Sequence, residues 1–189
     1  MTLFQIIMLA ASAFFAFKVY EHIQALQDIE PKSSNSSPSS FDPEALVQRA
    51  DEAFESGDLQ KALALLIEAN AKESQNSDVL FKMGYILQQL GDNTEALKYY
   101  KEALEKDKEN EYIHNSIASV YRAQKEFVSA KMHLSASIGI NDKNAITYYN
   151  YGNLLVDMKH LDEAKAMYKK AIELNSDFKE AKEELEKLA

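Results

Sequence analysis

The 189-residue chain contains no cysteine. Disulfides, thiolate metal sites and cysteine nucleophiles are therefore excluded, while a reducing and an oxidising compartment both stay open. Glycine occurs five times, never in a phosphate-cradling series, and no serine sits in a nucleophile elbow. The expectation is a chain that is not an enzyme, with no catalytic residue, no cofactor and no metal. Basic side chains are also short, 21 Lys plus Arg against 30 Asp plus Glu, for a net charge of −9. Such a surface repels phosphate backbones, which are held by Lys and Arg clusters that release counterions, so nucleic acid is not an expected partner. A protein or peptide with a basic segment suits it better. His22, His114, His133 and His160 show no zinc spacing, and Glu111 with His114 makes only half of a paired Glu-x-x-His motif. They read as surface histidines.

What is present falls into an apolar N-terminus, a Ser-rich break and a longer charged body. Residues 2–17 carry no charge, and Val19 and Tyr20 prolong the run past Lys18. A helix over residues 2–20, about 18 residues at ~1.5 Å each, spans roughly 27 Å, enough to cross a bilayer. No Lys or Arg precedes it, and the small-x-small site at Ala11 and Ala13 lies inside the apolar run. Those features favour a retained transmembrane anchor over a cleaved signal peptide or a buried apolar helix. Phe14, Phe15, Phe17 and Tyr20 gather at one end, as interfacial aromatics do. Lys18 and Lys32 both follow the anchor, so the positive-inside bias puts the body in the cytoplasm, as a single-pass protein of a bacterial inner membrane. Val19, Ile23, Leu26 and Glu30 keep helical spacing, which predicts either that the anchor continues over residues 21–30 as a short juxtamembrane helix able to pair as a coiled coil or that the helix end frays there. Residues 31–41 offer no core-forming run and hold two of the three prolines, which predicts a disordered linker.

The body repeats at intervals of 34. Ala62, Ala96, Ala130 and Ala164 recur in step, as do Ala50, Gly84, Ala118 and Gly152. Asp42, Asn76, Asn110 and Asn144 recur with the same spacing and place a capping oxygen ahead of each unit, each such cap contributing about 1 kcal/mol. Within a unit, Leu80, Met83, Leu87 and Leu90 lie on one helical face, Gly91-Asp92 turns the chain, and Ala96, Tyr100, Ala103 and Leu104 supply a returning face. Two antiparallel amphipathic helices follow. The recurring small residues predict close backbone approach between them.

This pattern resembles the tetratricopeptide repeat family, whose unit sets an aromatic, a Leu-Gly pair, a second aromatic, then Ala, aromatic, Ala and Pro at fixed positions. The fourth unit matches best, through Tyr148, Tyr151-Gly152, Leu155, Ala164, Tyr168 and Ala171. The third departs at His114 and Ser137, where the family prefers an aromatic and an alanine, and Ser74, Lys108, Asp142 and Ser176 replace the usual proline. Four repeats result, over 43–76, 77–110, 111–144 and 145–178, making up a domain from 42 to 178. The resemblance implies an all-α, right-handed superhelical solenoid, preceded by the one transmembrane helix. A final helix over 179–189, striped by Ala181, Leu185 and Leu188, caps its exposed end.

In that family the first helix of each unit lines a concave groove through its second, fifth, ninth, twelfth and thirteenth positions. Here those positions include Glu44, Asp51, Phe54, Glu55, Asp78, Gln88, Gln89, Ser119 and Ile146. The partner-binding candidates drawn from the same positions are Phe81, Tyr85, Tyr112, Asn115, Arg122, Tyr149 and Asn153. The rings would bury a peptide or partner helix, and Asn115 and Asn153 would bond its backbone. Members that dock chaperone tails grip a C-terminal carboxylate with a cationic fork. The matching positions here are Val47, Asp51, Lys82, Tyr112 and Ser116, or one repeat later Phe81, Tyr85, Ser116, Ile146 and Asn150, so no such docking is expected. The leading expectation is a membrane-anchored interaction adaptor. Alternatives are a self-assembling scaffold, hence a homo-oligomer, and an accessory subunit that positions a separate enzyme in a membrane complex.

Overall fold

The computed structural model describes residues 42–73 and 76–188. The segments expected to form the anchor (2–20), the juxtamembrane helix (21–30) and the linker (31–41) lie outside the described residues. Among the described residues there are nine helices and no strand: α1 (Pro43–Glu55), α2 (Leu59–Lys72), α3 (Ser77–Gln89), α4 (Asn93–Lys106), α5 (Glu111–Ala123), α6 (Phe127–Ile140), α7 (Ala145–Asp157), α8 (Leu161–Leu174) and α9 (Lys179–Lys187). None of them is long and apolar enough to cross a membrane. Each repeat is a helix pair that packs on itself and on the next, as expected for a stacked solenoid. The first helices of successive repeats also touch, α3 with α5 and α5 with α7, and so form one continuous wall.

The capping series starts each repeat. Asp42 accepts from the Glu44 amide at 3.2 Å, Asn76 from Asp78 at 2.9 Å, Asn110 from Tyr112 at 3.1 Å and Asn144 from Ile146 at 3.0 Å. Each satisfies an N–H that the first helical turn leaves without a partner. The second helices of the first two repeats are capped likewise, by Asp58 and Asp92, whereas Glu126 and His160 make no capping bond ahead of α6 and α8. The turn inside each repeat needs a left-handed residue. Gly57 and Gly91 supply it at φ 83° and 86°, and Lys125 and Lys159 take the same place at φ 63°. A lysine there carries a Cβ clash of roughly 1–2 kcal/mol that glycine escapes.

The core explains the small-residue series more fully than helix proximity does. A Cβ on Gly84 would stand 2.7 Å from the Tyr100 ring, and one on Gly152 would stand 2.6 Å from Cδ1 of Tyr168. Both tyrosines are fully buried. In the other repeats the equivalent pairs are Ala50 with Leu66 and Ala118 with Leu134, again buried together. Glycine therefore accompanies the large ring and alanine accompanies leucine. The expected backbone approach is present at Gly84, where the same Cβ would stand 3.2 Å from the Ala96 carbonyl oxygen, and the aromatic ring fills the rest of the space. At the far end Ala181 is fully buried, Leu185 and Leu188 pack on the Leu155, Ala164 and Tyr168 cluster, and α9 closes the stack.

Candidate functional site

The wall formed by α3, α5 and α7 borders a groove of about 420 Å³. Four of the seven residues expected from sequence meet there: Phe81, Tyr85, Tyr112 and Asn115. With them stand Gln88, Gln89, Ser116, Ser119, Ile146 and Asn150. Positions two, six, nine and thirteen of a helix share a face, which is why Ser116 and Asn150, both at the sixth position, enter the lining although the expected set omitted them. Tyr112 is 55% exposed, Ile146 51% and Tyr85 41%, so the rim is apolar and open to solvent. A second hollow of about 210 Å³ adjoins it, lined by Ala50, Phe54, Leu66, Ile86, Asp51 and Lys82, and shares Phe81 and Tyr85 with the groove. The Phe54 and Tyr85 rings stand 5.7 Å apart at its lip.

The floor is polar and already bonded within the chain. Gln88 donates to the Ser119 hydroxyl at 3.2 Å and accepts from the Tyr100 hydroxyl at 2.9 Å. Burial raises the Tyr100 phenol well above its ordinary pKa, so it remains a neutral donor. Asn115 is not the open amide expected from its position. It is only 6% exposed, and its Nδ2 lies 2.9 Å from the Glu111 carbonyl, 2.8 Å from the Ser137 hydroxyl and 2.7 Å from the Thr147 hydroxyl. Its Oδ1 accepts from Asn150 at 3.2 Å. Asn115, Ser137 and Thr147 occupy the places that Phe81, Ala103 and Ile113 hold one repeat earlier, so a polar trio replaces an apolar one.

The remaining three expected residues also have structural occupations. Tyr149 packs on Tyr168 at 6.0 Å and on Phe178 at 5.0 Å, which makes its ring part of the C-terminal core rather than a groove wall. Asn153 accepts from the Tyr168 hydroxyl at 2.8 Å. Arg122 pairs with Asp157 at 3.0 Å across successive first helices.

The cation nearest the apolar hollow is committed in the same way. Lys82 lies 2.9 Å from the Asp51 carboxylate and 3.5 Å from that of Asp78. Burial pulls its ammonium down, but the two carboxylates outweigh burial and hold it above its ordinary range. Glu44 and Glu55 add further negative charge on α1.

Two of the four histidines correct the surface reading. His114 on α5 and His133 on α6 are half-buried and face one another, Nδ1 to Nδ1 at 2.9 Å. Burial, then the nearby His114 and Lys101, pulls His133 down to about 4, and burial lowers His114 against a hydrogen bond with the Lys108 backbone. The pair lies apart from the groove lining. Among the described residues no group of three or more His, Cys, Asp or Glu is placed to hold a metal ion.

Comparison with known proteins agrees with this architecture. RNA polymerase II-associated protein 3 of Xenopus laevis is 29% identical over 165 residues, which is 87% of this chain but 22% of that protein, so the chain spans about a fifth of the curated relative's length. The structure of the first TPR of Spaghetti (RPAP3), bound to the HSP90 peptide SRMEEVD, superposes with a TM-score of 0.58 at 28% identity, covering 61% of this chain and 94% of that one. The pilF structure of Pseudomonas aeruginosa gives a TM-score of 0.71 at 20% identity, over 77% of this chain and 67% of that one. Two family models, both described as tetratricopeptide repeat, match residues 53–120 and 145–178. Together they cover just over half of the sequence, and the chain belongs to the tetratricopeptide repeat family.

Proposed function

We propose that the chain is a non-enzymatic interaction adaptor that holds an extended peptide or partner helix along the wall of α3, α5 and α7. The observation that carries this is the open apolar rim of Tyr85, Tyr112 and Ile146 above a polar floor, next to a hollow sized for one apolar side chain. Tyrosine rings bury much area for little conformational entropy, and the hollow supplies an anchor. A similar fold bound to the HSP90 peptide SRMEEVD supports a peptide as the kind of ligand. The charges favour a different peptide here. Lys82 and Arg122 are spent on Asp51, Asp78 and Asp157, so an acidic C-terminal tail meets no fork of cations, whereas a segment with Lys or Arg meets the carboxylates of Glu44 and Glu55.

The domain order that suits this role is an anchor over 2–20, a tether over 31–41, repeats from 42 to 178 and a cap after them. The uncharged N-terminal run and the two lysines that follow it support holding the adaptor at a membrane with its repeats on the cytoplasmic side. The test is fluorescence anisotropy with labelled SRMEEVD and with a peptide of equal length carrying two lysines and one leucine. The basic peptide is expected to bind at least tenfold more tightly, and Tyr85→Ala with Tyr112→Ala to weaken it at least fivefold. Tighter binding of SRMEEVD, or binding indifferent to the tyrosines, overturns the reading.

A further inference from the structure

α6 presents an outward face unlike that of any other described helix. In a chain of net charge −9 it alone among the described helices contains no acidic residue, and Lys131 is its one formal charge. Val128 is 86% exposed and Met132, one turn later, 61% exposed. Exposed Ser135 and Gly139 continue the same stripe toward the C-terminus. Gly139 has no reason within the fold to be glycine. Gly57 and Gly91 hold positive φ and Gly84 and Gly152 lie against tyrosine rings, but a Cβ on Gly139 meets nothing within 4 Å and its φ is not positive. Glycine inside a helix is destabilising relative to alanine, and nothing in the packing of the described residues offsets that.

We propose that α6 is the interface of a two-fold homodimer, in which two copies pair their α6 helices antiparallel. The stripe is complementary to itself. Bulky Val128 and Met132 fill its N-terminal half and small Ser135 and Gly139 its C-terminal half. Antiparallel pairing sets Val128 of each copy on Gly139 of the other and Met132 on Ser135, so every large side chain faces a small one, as an isologous interface requires. The bare Gly139 then lets the two backbones approach. Glu126, just ahead of the helix, comes beside Lys143 of the other copy, just beyond its end. Because α6 carries no carboxylate, this approach avoids the like-charge repulsion that the other acidic faces impose. Parallel pairing would instead oppose Met132 to itself and leave two glycines facing. Helices about 21 Å long bury well below the ~1,200–2,000 Å² of a standard interface. The pairing is accordingly weak and rises steeply with local concentration.

The absence of cysteine makes the test clean. Full-length Val128→Cys and Gly139→Cys chains are expressed separately and together and oxidised mildly, and dimers are counted on non-reducing gels. In the antiparallel pair, like positions lie ~16 Å apart along the helices, beyond the about 7 Å that a disulfide spans between Cα atoms, while Val128 and Gly139 face each other. The co-expressed chains should cross-link at least tenfold more than either alone. Equal cross-linking in all three samples, or none in the mixture, overturns the proposal. Adding Met132→Glu to both chains should cut the mixed product at least fivefold with helicity by circular dichroism unchanged. An undiminished product counts against α6 as the interface.

Discussion

His133 shows how much one side chain can respond to its surroundings. Its ring stands 5.1 Å from His114 and 5.8 Å from Tyr121, with Lys101 close to the same group, and its pKa falls to about 4 against 6.5 in an unfolded chain. Between those values the unfolded chain binds the extra proton and the folded one does not. The contribution of this residue to stability is therefore complete above pH 6.5 and is lost as pH falls toward 4. The Nδ1 contact with His114 adds to the effect, since it needs one bare nitrogen and does not survive protonation of both rings. Thermal melts at pH 7, 6 and 5 should show a falling midpoint for the natural chain and a flatter series for His133→Phe, which keeps the ring and removes the proton site. An equal fall in both excludes His133 as the source. Sequence pattern hid this pair because residues 19 positions apart meet only through the crossing of α5 and α6. The polar trio was hidden for the same reason, although Ser137 at an alanine position was a visible sign of it.

Helices and their pairings were far more legible. A 34-residue interval, side-chain caps and apolar stripes are local features, and α1 to α9 follow them closely. The pairing of Gly84 with Tyr100 and Gly152 with Tyr168, against Ala50 with Leu66 and Ala118 with Leu134, was also written in the sequence as a 16-residue covariation. It becomes a packing rule only when the ring is seen against the glycine. Gly84→Ala should cost about 1–3 kcal/mol, because the new methyl needs room that buried Tyr100 cannot give. Tyr100→Leu alone leaves a void and should cost a comparable amount. Combined, the two substitutions rebuild the alanine–leucine pair of the first and third repeats, so their joint cost should be less than the sum of the separate ones by more than about 1 kcal/mol. Chemical denaturation of the four proteins measures the coupling, and simple additivity refutes it. Candidate site residues were less legible than the helices. Position on the first helix placed Phe81, Tyr85, Tyr112 and Asn115 in the groove lining, but it missed Ser116 and Asn150 and did not show that Asn115, Tyr149 and Arg122 were committed to neighbours.

On the scale of the molecule, stability in a solenoid is the sum of helix-pair terms and the joints between neighbours, so damage spreads along the stack only as far as the joints carry it. α9 illustrates the limit. It touches the rest through Ala181, Leu185 and Leu188, and they cover Leu155 and Tyr168. Its charged remainder, with ion pairs Lys179–Glu183 and Lys187–Glu184, gives solubility to an end that would otherwise expose apolar surface. Ala181→Glu places a carboxylate at a fully buried position and should detach α9 without touching any other joint. Hydrogen exchange read helix by helix should then quicken by more than tenfold in α8 and α9, and less in α7, while α1 to α4 keep the rates of the natural chain. Uniform quickening from α1 to α9 would mean that the repeats unfold as one unit, and the independence of the groove from the C-terminal cap would fall with it.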